Sequence, residues 1–296
     1  MKRLLSVEFR RYAARRTVRA TGVLAFLAIL IATVIVVINS DRSMAAVRDS
    51  ARERQRLIAE CEEAAQTHPV EFQNAGDCEG FFPRESFDPR FHLTALEDVL
   101  EGLSFLFVIL AMGLGATFIG AEWNAGTVTT ILTWEPRRVR ILAAKVLAGA
   151  SFVFVAVMTV QALLVAFMAP VALLRGSTAG VDGAWLGDVA EIAARSALIG
   201  ALAAVIGMSV ASIARNTAAA LIVAFVYFAV IENVLRGVRP NWVRWLPGDN
   251  MALFVIGSEG TGIREISELR AFITVALYST VFFIGALGVF RSRDVT

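Results

Sequence analysis

Gly102-Leu-Ser-Phe-Leu-Phe-Val-Ile-Leu-Ala-Met-Gly-Leu-Gly-Ala-Thr-Phe-Ile-Gly120 is a run of 19 residues without a single charge. A helix of that length crosses about 30 Å of hydrocarbon, the thickness of a bilayer core. The run therefore reads as a transmembrane helix. Five more stretches share its character: 20–39, 141–174, 192–213, 217–235 and 269–290. The stretch 141–174 is too long for one perpendicular span, so it must tilt or begin outside the hydrocarbon.

Composition agrees. The chain of 296 residues is 57% hydrophobic and 18% charged, with a mean hydropathy of +0.65. Soluble domains are nearer 45–50% apolar and about 25% charged. The fold class that follows is an all-α membrane protein with six spans. A disordered chain, a collagen-like fibre and a disulfide-dense miniprotein are excluded. Twenty-six of the 28 basic residues are arginines, which, with the many alanines, points to a GC-rich bacterial genome.

Six spans put both ends on one side, and charge selects it. Segment 1–19, the loop 121–140 with Lys145, Arg215 and the tail 291–296 hold 14 basic and four acidic residues, a balance of +10. The remaining 14 basic and 22 acidic residues give −8. Basic residues stay on the cytoplasmic side, so both termini are expected there, in the cell membrane. Span 20–39 is longer than a signal-peptide core and reads as retained.

Leu5, Phe9 and Tyr12 recur at helical spacing among the seven basic residues of 1–19. That pattern suits either an interfacial helix whose arginines reach lipid phosphates or an ordinary topogenic tail. Nucleic acid is not expected as a partner. Segment 40–101 is the long external one. Arg48–Ala65 reads as a charged helix continuing the first span, and Thr94 with Glu97 as a capping box opening the second. Both cysteines, Cys61 and Cys78, fall here. Outside the cytoplasm they can form a disulfide; a metal pair with His68 or His92 is the alternative, and no tight ligand spacing supports it.

Small residues recur in two spans: Ala111, Gly115, Ala116 and Gly120, then Gly200, Ala203, Ala204, Gly207 and Ala211. They read as helix-packing surfaces. Segment 236–268 holds Trp242 and Trp245 as an interfacial belt, and its apolar piece Met251–Ile256 is too short to span. Short external helices are expected there. Glu232 and Arg236, one helical turn apart, form a candidate external gate pair or a structural one.

Chemistry is missing from the spans. No Walker loop, metalloprotease motif or nucleophile elbow is present, and no titratable residue sits near the middle of a span. No catalytic, cofactor-binding or metal site is expected in this chain, so activity has to come from a partner or a passive pore.

The loop 121–140 points to the partner. Gly126 breaks the helix leaving the membrane, and Thr127 can cap a short helix through about Thr133. Pro136 stops that element and opens the next. Ile131, Leu132 and Trp134 then offer apolar contact beside Arg137, Arg138 and Arg140. Glu122-x-x-x-Gly126-Thr127, followed by Pro136-Arg137-Arg138 and Lys145, resembles permease subunits of type-two ATP-binding-cassette (ABC) transporters. The resemblance covers nearly the whole chain. It implies that Glu122, Gly126, Thr127, Arg137 and Arg138 lie at or near the docking surface for a P-loop ATPase. ATP and Mg would be bound by that ATPase, and a second permease copy, identical or related, would complete the unit. The nearly charge-free spans suit an amphipathic or lipid-like export substrate. The rival reading is a membrane scaffold or sensor that uses 40–101 as its receptor segment.

Overall fold

The computed structural model describes residues 2–67, 78–83, 87–127, 137–261 and 266–292, and within these only helices form as named elements. Helix α1 is Lys2–Ala14, α2 Arg16–Asn39, α3 Met44–Thr67 and α4 the short Cys78–Phe81. A 3₁₀ turn, Leu93–Ala95, leads into α5, Leu96–Asn124. Then come α6, Arg138–Arg175; α7, Gly183–Ala214; and α8, Thr217–Val226. A π-helical stretch, Tyr227–Ile231, joins α8 to α9, Glu232–Val238. After a 3₁₀ turn at Pro240–Trp245, α10 is Pro247–Thr261 and α11 is Glu268–Ser292.

Six of these stretches are long and apolar enough to cross a membrane: Arg16–Asn39, Leu93–Asn124, Arg138–Arg175, Gly183–Ala214, Thr217–Val238 and Glu268–Ser292. The chain is a multi-pass membrane protein. Helix α6, with 38 residues, is about 57 Å long at 1.5 Å per residue, well beyond a hydrocarbon core.

Two compact units emerge, one of residues 1–25, 97–162 and 186–296, the other of 26–96 and 163–185. In the first, small residues let backbones touch. A Cβ at Gly115 would lie 2.5 Å from the Ala204 carbonyl oxygen, and one at Gly207 only 2.2 Å from that of Met112. These glycines lock α5 against α7, the close approach that small residues permit. The apolar cluster beside them includes Phe118, Leu142, Val153, Ala197 and Met208. Helix α7 turns into α8 through Arg215 and Asn216 alone. Arg215 adopts φ 53°, and the Asn216 side chain caps α8 by accepting from the Ala218 N–H at 2.8 Å.

The second unit is held by polar clips. The Ser177 N–H donates to the Phe91 carbonyl at 2.7 Å, and the Leu93 N–H to the Ser177 carbonyl at 3.0 Å. The Ser40 hydroxyl donates to the Arg175 carbonyl and accepts from the Phe91 N–H. Asp88 pairs with Arg90 at 2.6 Å, and that guanidinium holds its carboxyl well below the usual carboxylate range.

Two expectations change here. Helix α3 does not continue α2: the Asp41 side chain accepts the Ser43 N–H, and the Ser43 hydroxyl accepts that of Ala46. This turn stops one helix and caps the next. The entry to α5 is not a capping box either. Helical turns begin one residue before Thr94, at the 3₁₀ turn Leu93–Ala95; His92 precedes it with no side-chain cap, and the Leu93 N–H donates to the Ser177 carbonyl. Cys61 and Cys78 are disulfide-bonded with Cα atoms 6.0 Å apart, tying α3 to α4. His68 lies outside the described residues.

Candidate functional site

Glu8 and Tyr12 of α1, one helical turn apart, share a face with Arg15, which follows the end of that helix. That face meets the end of α5 and the first turns of α6. The Lys145 ammonium lies 3.1 Å from both Glu8 carboxylate oxygens. Its distance to the nearer Glu122 oxygen is 2.9 Å. Arg15 reaches Glu122 at 3.2 Å and donates to the carbonyls of Thr117 and Phe118, each at 2.8 Å. Arg11 closes on Glu8 at 3.2 Å.

This network is buried. Side-chain exposure is 6% for Lys145, 4% for Glu8 and 12% for Glu122. Two carboxylates out of water are tolerable only because three cations and several hydrogen bonds surround them. Tyr12 lids the cluster. Its ring stacks on Phe118 with centroids 4.0 Å apart, and its hydroxyl donates to the Lys145 carbonyl at 2.9 Å. Burial, reinforced by the Glu8 and Glu122 charges, pushes the phenol pKa up, so the hydroxyl keeps its proton.

The network sits at the foot of the loop. Glu122 is two residues before the end of α5 and Lys145 eight residues into α6, so their ion pair joins the two stems. Gly126, exposed at φ +66°, ends α5 with its N–H donating to the Trp123 carbonyl, a left-handed terminus that glycine adopts without strain. The Thr127 hydroxyl is exposed and donates to the Glu122 carbonyl at 3.3 Å. Arg137 is exposed and Arg138 half-buried where the chain re-enters α6. Trp123 lies under the Arg215 guanidinium, 4.6 Å from the ring centroid, and edge-on to Phe290 at 6.0 Å. Residues 128–136, including Ile131, Leu132, Trp134, Pro136 and the expected helix through Thr133, lie outside the described residues.

Of the five candidate docking residues, four therefore stand at the rim of the loop, whereas Glu122 is turned inward onto Lys145 and Arg15. The partners that the sequence left unnoticed are Glu8, Tyr12 and Arg15. A signal existed: Glu8 is the sole acid among seven bases in the first 19 residues, and Lys145 the sole lysine after Lys2.

Glu232 and Arg236 approach only to 3.9 Å. Arg236 pairs more closely with Asp249, at 2.6 Å. The buried Glu232 carboxylate accepts from the Asp249 N–H at 3.2 Å, which pins the start of α10.

The family model described as "ABC-2 family transporter protein" matches residues 5–242. No curated protein matches the chain.

Proposed function

We propose, from the premise that the chain belongs to the ABC-2 transporter family and is a membrane-spanning permease subunit of an ABC transporter, that it exports an amphipathic or lipid-like substrate on ATP hydrolysed by a separate ATPase. The observation that carries this reading is the Glu122–Lys145 ion pair across the foot of the loop. A loop whose stems are tied to each other, and through Glu8 and Arg15 to α1, moves as one body when its tip is pushed. Energy delivered at the loop thus reaches α5 and α6 together.

In this mechanism the ATPase binds ATP and Mg and closes. The exposed rim of Gly126, Thr127 and Arg137, with Arg138 beside it, meets it. Glu122 acts as a tie behind that surface. The clamp transmits the displacement to the spans, where two permease copies part to open a path outward. The loop and both termini face the cytoplasm of a bacterial cell, as the charge balance favours. Helix α1, rich in arginine, rests at the lipid headgroups.

Reversing charge in Arg137→Glu/Arg138→Glu is expected to abolish ATP-dependent export and co-purification of a P-loop ATPase, with membrane insertion intact. Undiminished export by that double variant overturns the reading. A sensor reading draws on α3, none of whose residues is buried, which leaves a helix free for an external partner. Deleting residues 44–91 distinguishes the two: a sensor loses its response, whereas a transporter retains ATP-driven flux.

A further inference from the structure

An apolar cavity of about 550 Å³ opens in the first unit between α5, α7, α8 with its π-helical extension, and α10. Its size is that of an ordinary small-ligand site. Phe105 and Ile109 of α5 face Leu221 and Phe225 of α8 at its mouth, and Phe105 and Phe225 are 60% and 70% exposed. Both pairs belong to membrane spans, so the mouth opens sideways within the membrane. Water finds few polar partners in a chamber whose lining is almost wholly apolar apart from Ser104 and Asn233, and an empty one forfeits the dispersion contacts of its whole lining. An alkyl chain is the occupant left.

The wall is built for the purpose. The π-helical turn Tyr227–Ile231 displaces Phe228 and Ala229 from regular helical positions, a distortion common at functional sites. The Asn233 amide donates to the carbonyls of both residues at 3.0 and 3.2 Å, which satisfies backbone that the distortion would otherwise strand. Phe228, Met112 and Ala224 also border a second apolar cavity of about 150 Å³ and so stand between the two.

Asn233 marks the polar end. Its side-chain oxygen accepts from Arg236 at 3.1 Å, and Arg236 is paired with Asp249 at 2.6 Å. The half-exposed Arg236 suits the anionic part of a head group, and the Asp249 and Glu232 carboxylates beside it suit a cationic part, so a head that carries both signs fits better than a simple anion.

We infer that this cavity holds one alkyl chain of a zwitterionic amphiphile, with its head at Asn233, Arg236 and Asp249 and its tail end against Phe228 and Met112. The proposal deepens the transporter reading and rests on it only for the role of cargo; occupancy itself requires neither ATPase nor nucleotide. Because lipid tails are as apolar as the cavity, fit rather than hydrophobic drive selects the chain.

The test uses the full chain in phosphatidylcholine vesicles containing a phosphatidylcholine with a photoreactive diazirine near its tail end. No nucleotide or ATPase is present. Irradiation and peptide mapping are expected to place adducts preferentially on Met112, Phe225 and Phe228. Ala224→Trp, which fills the chamber, should cut them at least tenfold and leave adducts on the lipid-exposed Ile31 and Ile284 unchanged. Gly113→Leu is a second filling variant; a Cβ there meets only Leu221, at 3.7 Å. Phe228→Ala should join the cavities and shift competition by lysophosphatidylcholines toward longer chains. Labelling that merely follows surface exposure, or that both filling variants leave intact, overturns the proposal. So does spontaneous cross-linking between copies of Phe105→Cys/Phe225→Cys, which would mean that a second permease seals the mouth. Loss of ATP-driven flux with labelling retained would count against the transporter reading alone.

Discussion

Lys145 and Glu122 face each other at 2.9 Å across the foot of the loop, one on each stem. Glu8 takes the other side of the same ammonium. Removing the lysine leaves two buried carboxylates without their shared counter-charge. Lys145→Met should destabilise the chain by about 3–5 kcal/mol, the usual effect of breaking a buried pair from one side. Adding Glu8→Gln and Glu122→Gln should recover most of the melting temperature in detergent. Coupling should stay lost, because the neutral trio no longer ties the stems. Full ATP-driven export by the triple variant would show that the clamp is only structural.

Tyr12 links the clamp to alkaline stability. Its folded-state pKa lies above the ordinary 10.0, chiefly through burial. In an acid of raised pKa the ionised form is disfavoured only in the folded state. The chain therefore loses stability as pH rises above the unfolded value, and none below it. Thermal melts from pH 8 to 11 should show a decline starting near pH 10 that is smaller in Tyr12→Phe. At neutral pH the same variant should cost about 1 kcal/mol for the lost bond to the Lys145 carbonyl.

The α5–α7 contact predicts a contrast among glycines. Gly115→Ala and Gly207→Ala drive a methyl into backbone atoms and should each cost about 1–3 kcal/mol as overpacking. Gly285→Ala meets nothing within 4 Å and should be neutral or slightly stabilising in its helix. Melting temperatures of the three variants in one detergent check the ranking.

The Cys61–Cys78 bond closes a loop with a sequence separation of 17. Cys61→Ser/Cys78→Ser should lower the stability of the α3–α4 region by about 3 kcal/mol. Hydrogen exchange should rise along Met44–Thr67 and stay unchanged along α7. Equal exchange in both proteins would mean that α3 stands without its clip.

Legibility followed the kind of signal. Long apolar runs such as 102–120 report spans directly, because every lipid-facing backbone group must be satisfied within its own helix. Short-range readings fared less well. Thr94 and Glu97 make a capping pattern, yet the Leu93 N–H found a carbonyl 84 residues away, at Ser177. The charged stretch from Arg48 continues no span, since the turn at Asp41 and Ser43 intervenes. A local pattern loses where a tertiary contact starts a helix elsewhere, as at Leu93, or where a neighbouring turn ends it, as at Asp41 and Ser43.

The sequence by itself determined that this is a six-span membrane protein of the ABC-2 kind. Apolar length, charge asymmetry and the Glu122–Lys145 motif are all properties of contiguous residues. Only the tertiary structure decided that Glu8, Tyr12 and Arg15 close on that motif, and that α5, α7, α8 and α10 enclose a cavity. Glu8 and Lys145 are 137 residues apart in the chain. No periodicity encodes such a meeting; it depends on the packing of α1 against α5 and α6, where the Tyr12 ring stacks on Phe118 and its hydroxyl donates to the Lys145 carbonyl beside the buried charges.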